Sequence, residues 1–282
     1  MRCVDTHVHI WDLEKVHYAW LEGNSTILGR TYLIDELNPQ IEEANVVEGV
    51  LVQAANTIRE TEYMLDVALQ TLWLKGVVGW MPLQQPEKVA DIISTGYAHH
   101  PMFKGVRHLI HDEPDPAWLL QPAVVTSLRL LDHAEIPYEV VGILPEHLET
   151  VVRVLEHIPS MRLVIDHLNQ PPQSGDAKLL RWQDLMRKIS HSPNVYAKIS
   201  GLGTIVDQGE DWNVENIRPA VAFVLEHFGT ERCFCGGDWP VSLLAGSYGH
   251  TWNVYQQTLA KLLSAEEADK VLYSNAKSFY RL

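Results

Sequence analysis

Val50-Leu51-Val52-Gln53-Ala54, a helical pattern over 60–73, then Gly76-Val77-Val78-Gly79-Trp80: this β–α–β succession decides the fold. Both outer runs are almost continuously apolar, as parallel strands covered on both faces are. Between them Tyr63, Met64, Val67, Ala68 and Leu72 fall on one helical stripe. The alternation recurs in both directions along the chain. Strands are predicted at 4–10, 47–54, 74–83, 102–110, 136–142, 162–169, 194–202 and 232–241. Helices are predicted at 60–73, 86–97, 121–134, 145–157, 178–190, 214–228 and 264–280. Eight strands joined by helical crossovers point to the α/β class, as a (β/α)8 TIM barrel whose single domain spans 1–282. A doubly wound sheet would show fewer strands, and no Gly-x-Gly-x-x-Gly follows any run. The stretch 11–46 is long for a βα loop and rich in Trp, Tyr, Asn and Gly, which suits a cap over the barrel mouth.

The composition fits one large core. Apolar residues make up 46% and charged residues 21% of the 282 positions, which argues against disorder. Twenty-two basic against 36 acidic side chains give a formal charge of −14, the wrong sign for a nucleic-acid partner. A small anionic ligand stays compatible, because a few basic groups suffice for it. Cys3, Cys233 and Cys235 are too few for a disulfide framework and read as buried thiols of a reducing compartment. With no signal-like start and no apolar run of membrane length, a cytoplasmic protein without membrane contact is expected. An oligomer stays open.

Polar residues at the C-terminal ends of barrel strands face the active site. The first predicted strand ends Asp5-Thr6-His7-Val8-His9-Ile10-Trp11, and the spacing of His7 and His9 turns both imidazoles to one side. The sixth reads Val164-Ile165-Asp166-His167-Leu168-Asn169, so His167 closes an apolar run and Asp166, of opposite parity, is suited to orienting a neighbour. The eighth reads Cys233-Phe234-Cys235-Gly236-Gly237-Asp238-Trp239-Pro240. Its glycines permit a close backbone approach, and Asp238 follows at the strand end, with an N-cap of the next helix as the alternative to a role in the site. His7, His9, His167 and Asp238 together could hold one divalent cation or activate one water.

On these residues the chain resembles the amidohydrolase superfamily of (β/α)8 hydrolases. Gly105-Val106-Arg107-His108, Asp166-His167-Leu168, Lys198-Ile199-Ser200-Gly201-Leu202 and Gly237-Asp238-Trp239-Pro240-Val241 resemble its "amidohydrolase 2" branch, and within it the sugar-lactone hydrolases. The resemblance runs from residue 4 to the closing Asn275-Ala276-Lys277-Ser278-Phe279-Tyr280. It implies a lactonase that opens a sugar lactone to its aldonic acid, with His7, His9, His167 and Asp238 as metal ligands. It departs from the binuclear members at one place. Arg107 stands where they carry a bridging carboxylated Lys or a Glu, and the fifth strand offers only Glu139 in place of their histidine. The resemblance therefore implies at most one divalent cation, zinc foremost, in a branch that works with one metal or with none. Gly237 replaces a usual Ser, and Glu139 an Asp.

The catalytic set expected from this is Asp238, His167 and Arg107: Asp238 as base toward water, the other two at the carbonyl. Arg107 could equally be a structural ion-pair member. Gln53, Lys198, Glu139, Trp239 and Trp20 are the expected substrate-binding residues, though Lys198 suits structural pairing as well, Gln53 a hydrogen bond within the barrel, and Trp20 packing alone. The substrate expected is a neutral, polyhydroxylated lactone rather than a dicarboxylate. Three rivals stay open: a metal-dependent decarboxylase, a pyrone-dicarboxylate-type lactonase, and a non-catalytic binding barrel.

Overall fold

The computed structural model describes residues 1–173, 175–206 and 208–282. Eight parallel strands follow one another around a barrel: β1 Cys3–Val8, β2 Val46–Val52, β3 Leu74–Gly79, β4 Phe103–His108, β5 Tyr138–Val140, β6 Leu163–Ile165, β7 Val195–Ile199 and β8 Cys233–Cys235. The outer helices are α1 Ile34–Leu37, α2 Ile58–Gln70, α3 Pro86–Thr95, α4 Pro122–His133, α5 Pro145–His157, α6 Leu179–Ser190, α7 Leu202–Val206, α8 Val214–Phe228, α9 Tyr248–Leu262, α10 Ala265–Asp269 and α11 Asn275–Tyr280. No helix among the described residues is long and apolar enough to cross a membrane.

The barrel is closed where the chain's end meets its beginning. His9 N donates to the Trp239 carbonyl at 2.7 Å, and Asp238 N to the His7 carbonyl at 2.7 Å. The approach is close enough to require glycine. A Cβ on Gly236 would lie 2.5 Å from the His7 Cβ, and one on Gly237 2.5 Å from Asp5 Oδ2. Asp5 fastens the seam, accepting from His7 N, Gly237 N and the Tyr248 hydroxyl.

Inside the barrel the side chains lie in layers. The lowest is apolar: Val4, Val50, Val78, Val164 and Phe234 meet Phe279 and Tyr280 of α11, which plugs the bottom. Above them sit Glu139 and Lys198, each fully buried. The rest of the core fills the space between strands and helices. Cys3, Cys233 and Cys235 are buried free thiols within it.

Two local departures from the predicted elements shape the mouth. The pairing of β1 with β2 shifts register between Asp5 and Val8. Strict alternation from inward-facing Val4 would turn His7 and His9 outward; the shift turns them in. The predicted sixth strand stops at Ile165. His167, Leu168, Asn169 and Gln170 follow with φ of 52°, 51°, 54° and 49°, four consecutive left-handed residues without a glycine. Each costs about 1–2 kcal/mol relative to right-handed backbone, so tertiary contacts must hold the turn. Trp182 Nε1 donates to the Leu168 carbonyl at 2.8 Å, and Asn169 Nδ2 to the Leu144 carbonyl at 3.2 Å. Helix α9 was not among the predicted elements.

Candidate functional site

Three acceptor atoms converge at the mouth, where β1 meets the end of β8. His7 Nε2 and His9 Nε2 are 3.1 Å apart, and Asp238 Oδ1 lies 3.4 Å from His9 Nε2 and 3.7 Å from His7 Nε2. His9 Nδ1 lies 2.7 Å from the Val52 carbonyl, so its proton belongs there and Nε2 offers a lone pair. Burial, and then the Lys198 ammonium, hold the His7 pKa well below the ordinary imidazole range, so that ring is neutral. Ligand atoms around a tetrahedral zinc, at about 2.0–2.1 Å from the ion, stand about 3.3 Å from one another. The His7–His9–Asp238 triangle has that size, and its donors are the nitrogen and carboxylate types that zinc takes. Asp238 holds its place with φ of 55°, again in left-handed backbone.

His167 adjoins this triad, its ring centroid 4.6 Å from that of His7. Its Nδ1 lies 2.8 Å from Ser200 Oγ, a contact that orients the ring, and burial lowers its pKa. By distance His7, Asp166 and His167 form a second ligand group. Asp166 is committed elsewhere: Oδ2 pairs with Arg107 Nη1 at 3.1 Å and Oδ1 with Lys198 Nζ at 3.0 Å. Burial pushes the Asp166 carboxyl up, yet these two cations prevail and hold it below its usual range.

A charged layer underlies the triad. Lys198 donates to Glu139 Oε2 and to the Thr6 carbonyl, and stands 3.2 Å from His7 Nδ1. Glu139 also accepts from the Tyr280 hydroxyl of α11. Burial pushes the Glu139 carboxyl up to about 7 even with Lys198 beside it. Arg107 Nε donates to Gln53 Oε1 at 2.9 Å, Nη2 to the Gln53 carbonyl, and Nη1 stands 3.1 Å from His7 Nε2. Two cations, Arg107 and Lys198, thus face two carboxylates, Asp166 and Glu139, with no more than 2% exposure for any of the four.

Above the triad opens a cavity of about 330 Å³. His9, Arg107, His167 and Asp238 line the end beside the triad, and Trp20 forms part of the wall with its Nε1 donating to the Ala54 carbonyl at 2.8 Å. The other residues expected to meet substrate do not line it. Gln53, Lys198 and Glu139 are fully buried in the charged layer below, and Trp239 is 1% exposed and packs edge-on against Tyr32. Strand-end position alone did not separate the wall from the layer beneath it. The sequence reading missed His111, Gln170 and Thr204, which stand in the wall among Leu109, Val141 and Ile143. They lie beyond the strand ends, His111 in the single turn Ile110–Asp112, Gln170 after β6 and Thr204 in the short helix α7, where strand alternation carries no facing information. Glu113 pairs with buried His108 at 2.8 Å.

A (β/α)8 barrel with one histidine in its first strand and another just after it, a histidine after the sixth and an aspartate after the eighth, all at the mouth, is a hydrolase-type barrel with a metal-capable centre. The amidohydrolase family model matches residues 4–282, and the chain belongs to that family. An L-fucono-1,5-lactonase of Burkholderia ambifaria is 31% identical, the alignment covering 99% of this chain and 95% of the relative. An L-fucono-1,5-lactonase of Burkholderia multivorans is 28% identical, over 99% and 96% of the two chains. A crystal structure of an amidohydrolase from Burkholderia multivorans with bound zinc superposes with a TM-score of 0.90 at 27% identity, over 100% of both chains.

Proposed function

We propose that the protein hydrolyses a neutral sugar lactone, opening a five- or six-membered aldonolactone ring to its aldonate. The observation that carries this is the His7–His9–Asp238 triangle at the end of a cavity whose wall, among the described residues, holds one lysine or arginine, Arg107. That guanidinium is already paired with Asp166. A dicarboxylate would need several unpaired cations converging on it. Trp20 and the aliphatic wall suit sugar C–H faces, and the wall's neutral polar groups suit hydroxyls. The names of the two Burkholderia relatives make L-fucono-1,5-lactone the first substrate to try.

His7 and His9 would hold at most one divalent ion through their Nε2 atoms, with Asp238 as third ligand, and zinc is the ion this set suits. When bound, zinc supplies Lewis acidity and lowers the pKa of a water beside it. Arg107 Nη1, 3.1 Å from Asp166 Oδ2, sets a positive charge against the His7, Asp166 and His167 group, where a second cation would sit. Asp238 accepts a proton from the attacking water as its oxygen adds to the lactone carbonyl. Arg107 and His167 face the carbonyl oxygen, where negative charge develops. The acyl C–O bond of the ring then breaks, and Asp238 returns the proton to the departing ring oxygen. Water is consumed, and both halves of the substrate remain in one hydroxy acid.

Acid release from a panel of aldonolactones, followed with a pH indicator, tests the reading, with a pyrone dicarboxylate and an aromatic carboxylic acid included. Turnover of at least one aldonolactone above both acidic compounds is expected. A higher kcat/KM for either acid than for every aldonolactone would overturn it, as would no turnover at all.

A further inference from the structure

We infer that His111 is a specificity-determining residue, which hydrogen-bonds one hydroxyl of the lactone at the far side of the cavity from Asp238. The inference rests on the lactonase reading and says where its selectivity resides.

His111 belongs to the single turn Ile110–Asp112 that follows β4. Because the eight strands are ordered sequentially, β4 lies across the barrel from β8. His111 and Asp238 line the same cavity from opposite sides. A ring whose carbonyl meets Asp238 therefore turns its remote atoms toward His111.

The side chain is built to present one nitrogen. Nδ1 lies 3.3 Å from the Val141 carbonyl at the end of β5, which fixes the ring and leaves Nε2 to accept. The side chain is 28% exposed, so it is reachable from the cavity. The carboxylate nearest Nε2, Asp112 Oδ1 at 3.5 Å, is half-exposed and accepts only, so it does not occupy the Nε2 lone pair. Leu109, Val141 and Ile143 share that part of the wall. They flank a bond formed there, so a ligand lacking the matching hydroxyl sets apolar surface against an acceptor left without its partner. Of the other polar groups the sequence reading missed, Thr204 Oγ1 already donates to the Gly201 carbonyl at 2.9 Å, and Gln170 is exposed. His111 is the anchored one.

The test crosses the enzyme with its substrate. kcat/KM is measured for wild type, His111→Ala and His111→Asn on L-fucono-1,5-lactone and on analogues each lacking one ring hydroxyl. For wild type, loss of one particular hydroxyl is expected to cost about ten- to a hundredfold. His111→Ala is expected to lose a similar factor on the parent lactone and to match wild type on that one analogue. His111→Asn, which keeps an acceptor, is expected to recover part of the loss. Melting curves confirm that the variants are folded. Equal losses by His111→Ala on every analogue would mark a merely structural role and overturn the inference alone, as would no loss on the parent. Failure of wild type to open any lactone overturns both this inference and the lactonase reading.

Discussion

Replacing Lys198 with methionine tests the charged layer that carries the site. Lys198→Met keeps the length of the side chain and removes one of two cations from a cluster in which Arg107, Lys198, Asp166 and Glu139 balance. Nothing can rehydrate the remaining carboxylates, because Asp166 and Glu139 are fully buried. Breaking a buried pair by removing one partner costs about 3–5 kcal/mol, a large share of the roughly 5–15 kcal/mol that stabilises a domain. With the unfolding entropy expected of 282 residues, that cost lowers Tm by about 5–8 °C. The loss should be larger at pH 8 than at pH 5, because Glu139, pushed up to about 7 by burial, stays protonated at the lower value and needs no cation there. Restoring neutrality with Glu139→Leu in the Lys198→Met background should recover part of the loss. Thermal melts of wild type, both single variants and the double variant decide the matter. A Lys198→Met protein melting within one degree of wild type, or a double variant whose losses simply add, would refute the balanced-layer argument.

The metal argument predicts that protein loaded with zinc carries no more than one ion per chain by elemental analysis; two ions at full occupancy would contradict the reading of Arg107. Chelator-treated wild type should gain thermal stability on adding zinc while His9→Ala does not, and equal gains would place the ion elsewhere. Glu60, buried at the start of α2 and bonded by the Ala54 and Ala55 amides, is pushed by burial from 4.5 to about 8. Its folded-state pKa is raised, so the stability it contributes is full below about pH 4.5 and is lost as pH climbs through about 8. Urea midpoints between pH 5 and 8.5 should therefore fall less steeply for Glu60→Gln than for wild type, and an unchanged slope would refute this.

The barrel was legible because parallel strands buried on both faces are apolar throughout, and such a run stands out between amphipathic helices. The His7-x-His9 pair and Asp238 were legible for a related reason: a polar group closing an apolar run has no cheap structural explanation. Asp166, read by parity as orienting a neighbour, lies against Arg107 and Lys198. What stayed hidden depends on contacts between distant elements. The register shift in β1 is a property of its pairing with β2, and residue alternation gives no sign of it. The left-handed turn at 167–170 is held by Trp182 and Asn169 against its intrinsic preference. Helix α9 contains Thr251, Trp252, Asn253, Val254 and Tyr255, all weak helix formers, and forms because its apolar face packs on the barrel. Lys198 on β7, Glu139 on β5 and Gln53 just after β2 belong to strand-end segments as a substrate contact would, yet all three are fully buried beneath the cavity. Depth along the barrel axis is what a strand's alternation cannot encode.

The measurement that bears most directly on the central claim is kcat/KM for opening L-fucono-1,5-lactone, or the best aldonolactone of the panel, by wild type and by Asp238→Asn at equal zinc loading. Asn keeps the size of the side chain and loses the proton acceptor, so a fall in kcat of at least about a hundredfold, with Tm little changed, is predicted. Near-native turnover by folded Asp238→Asn would contradict the account.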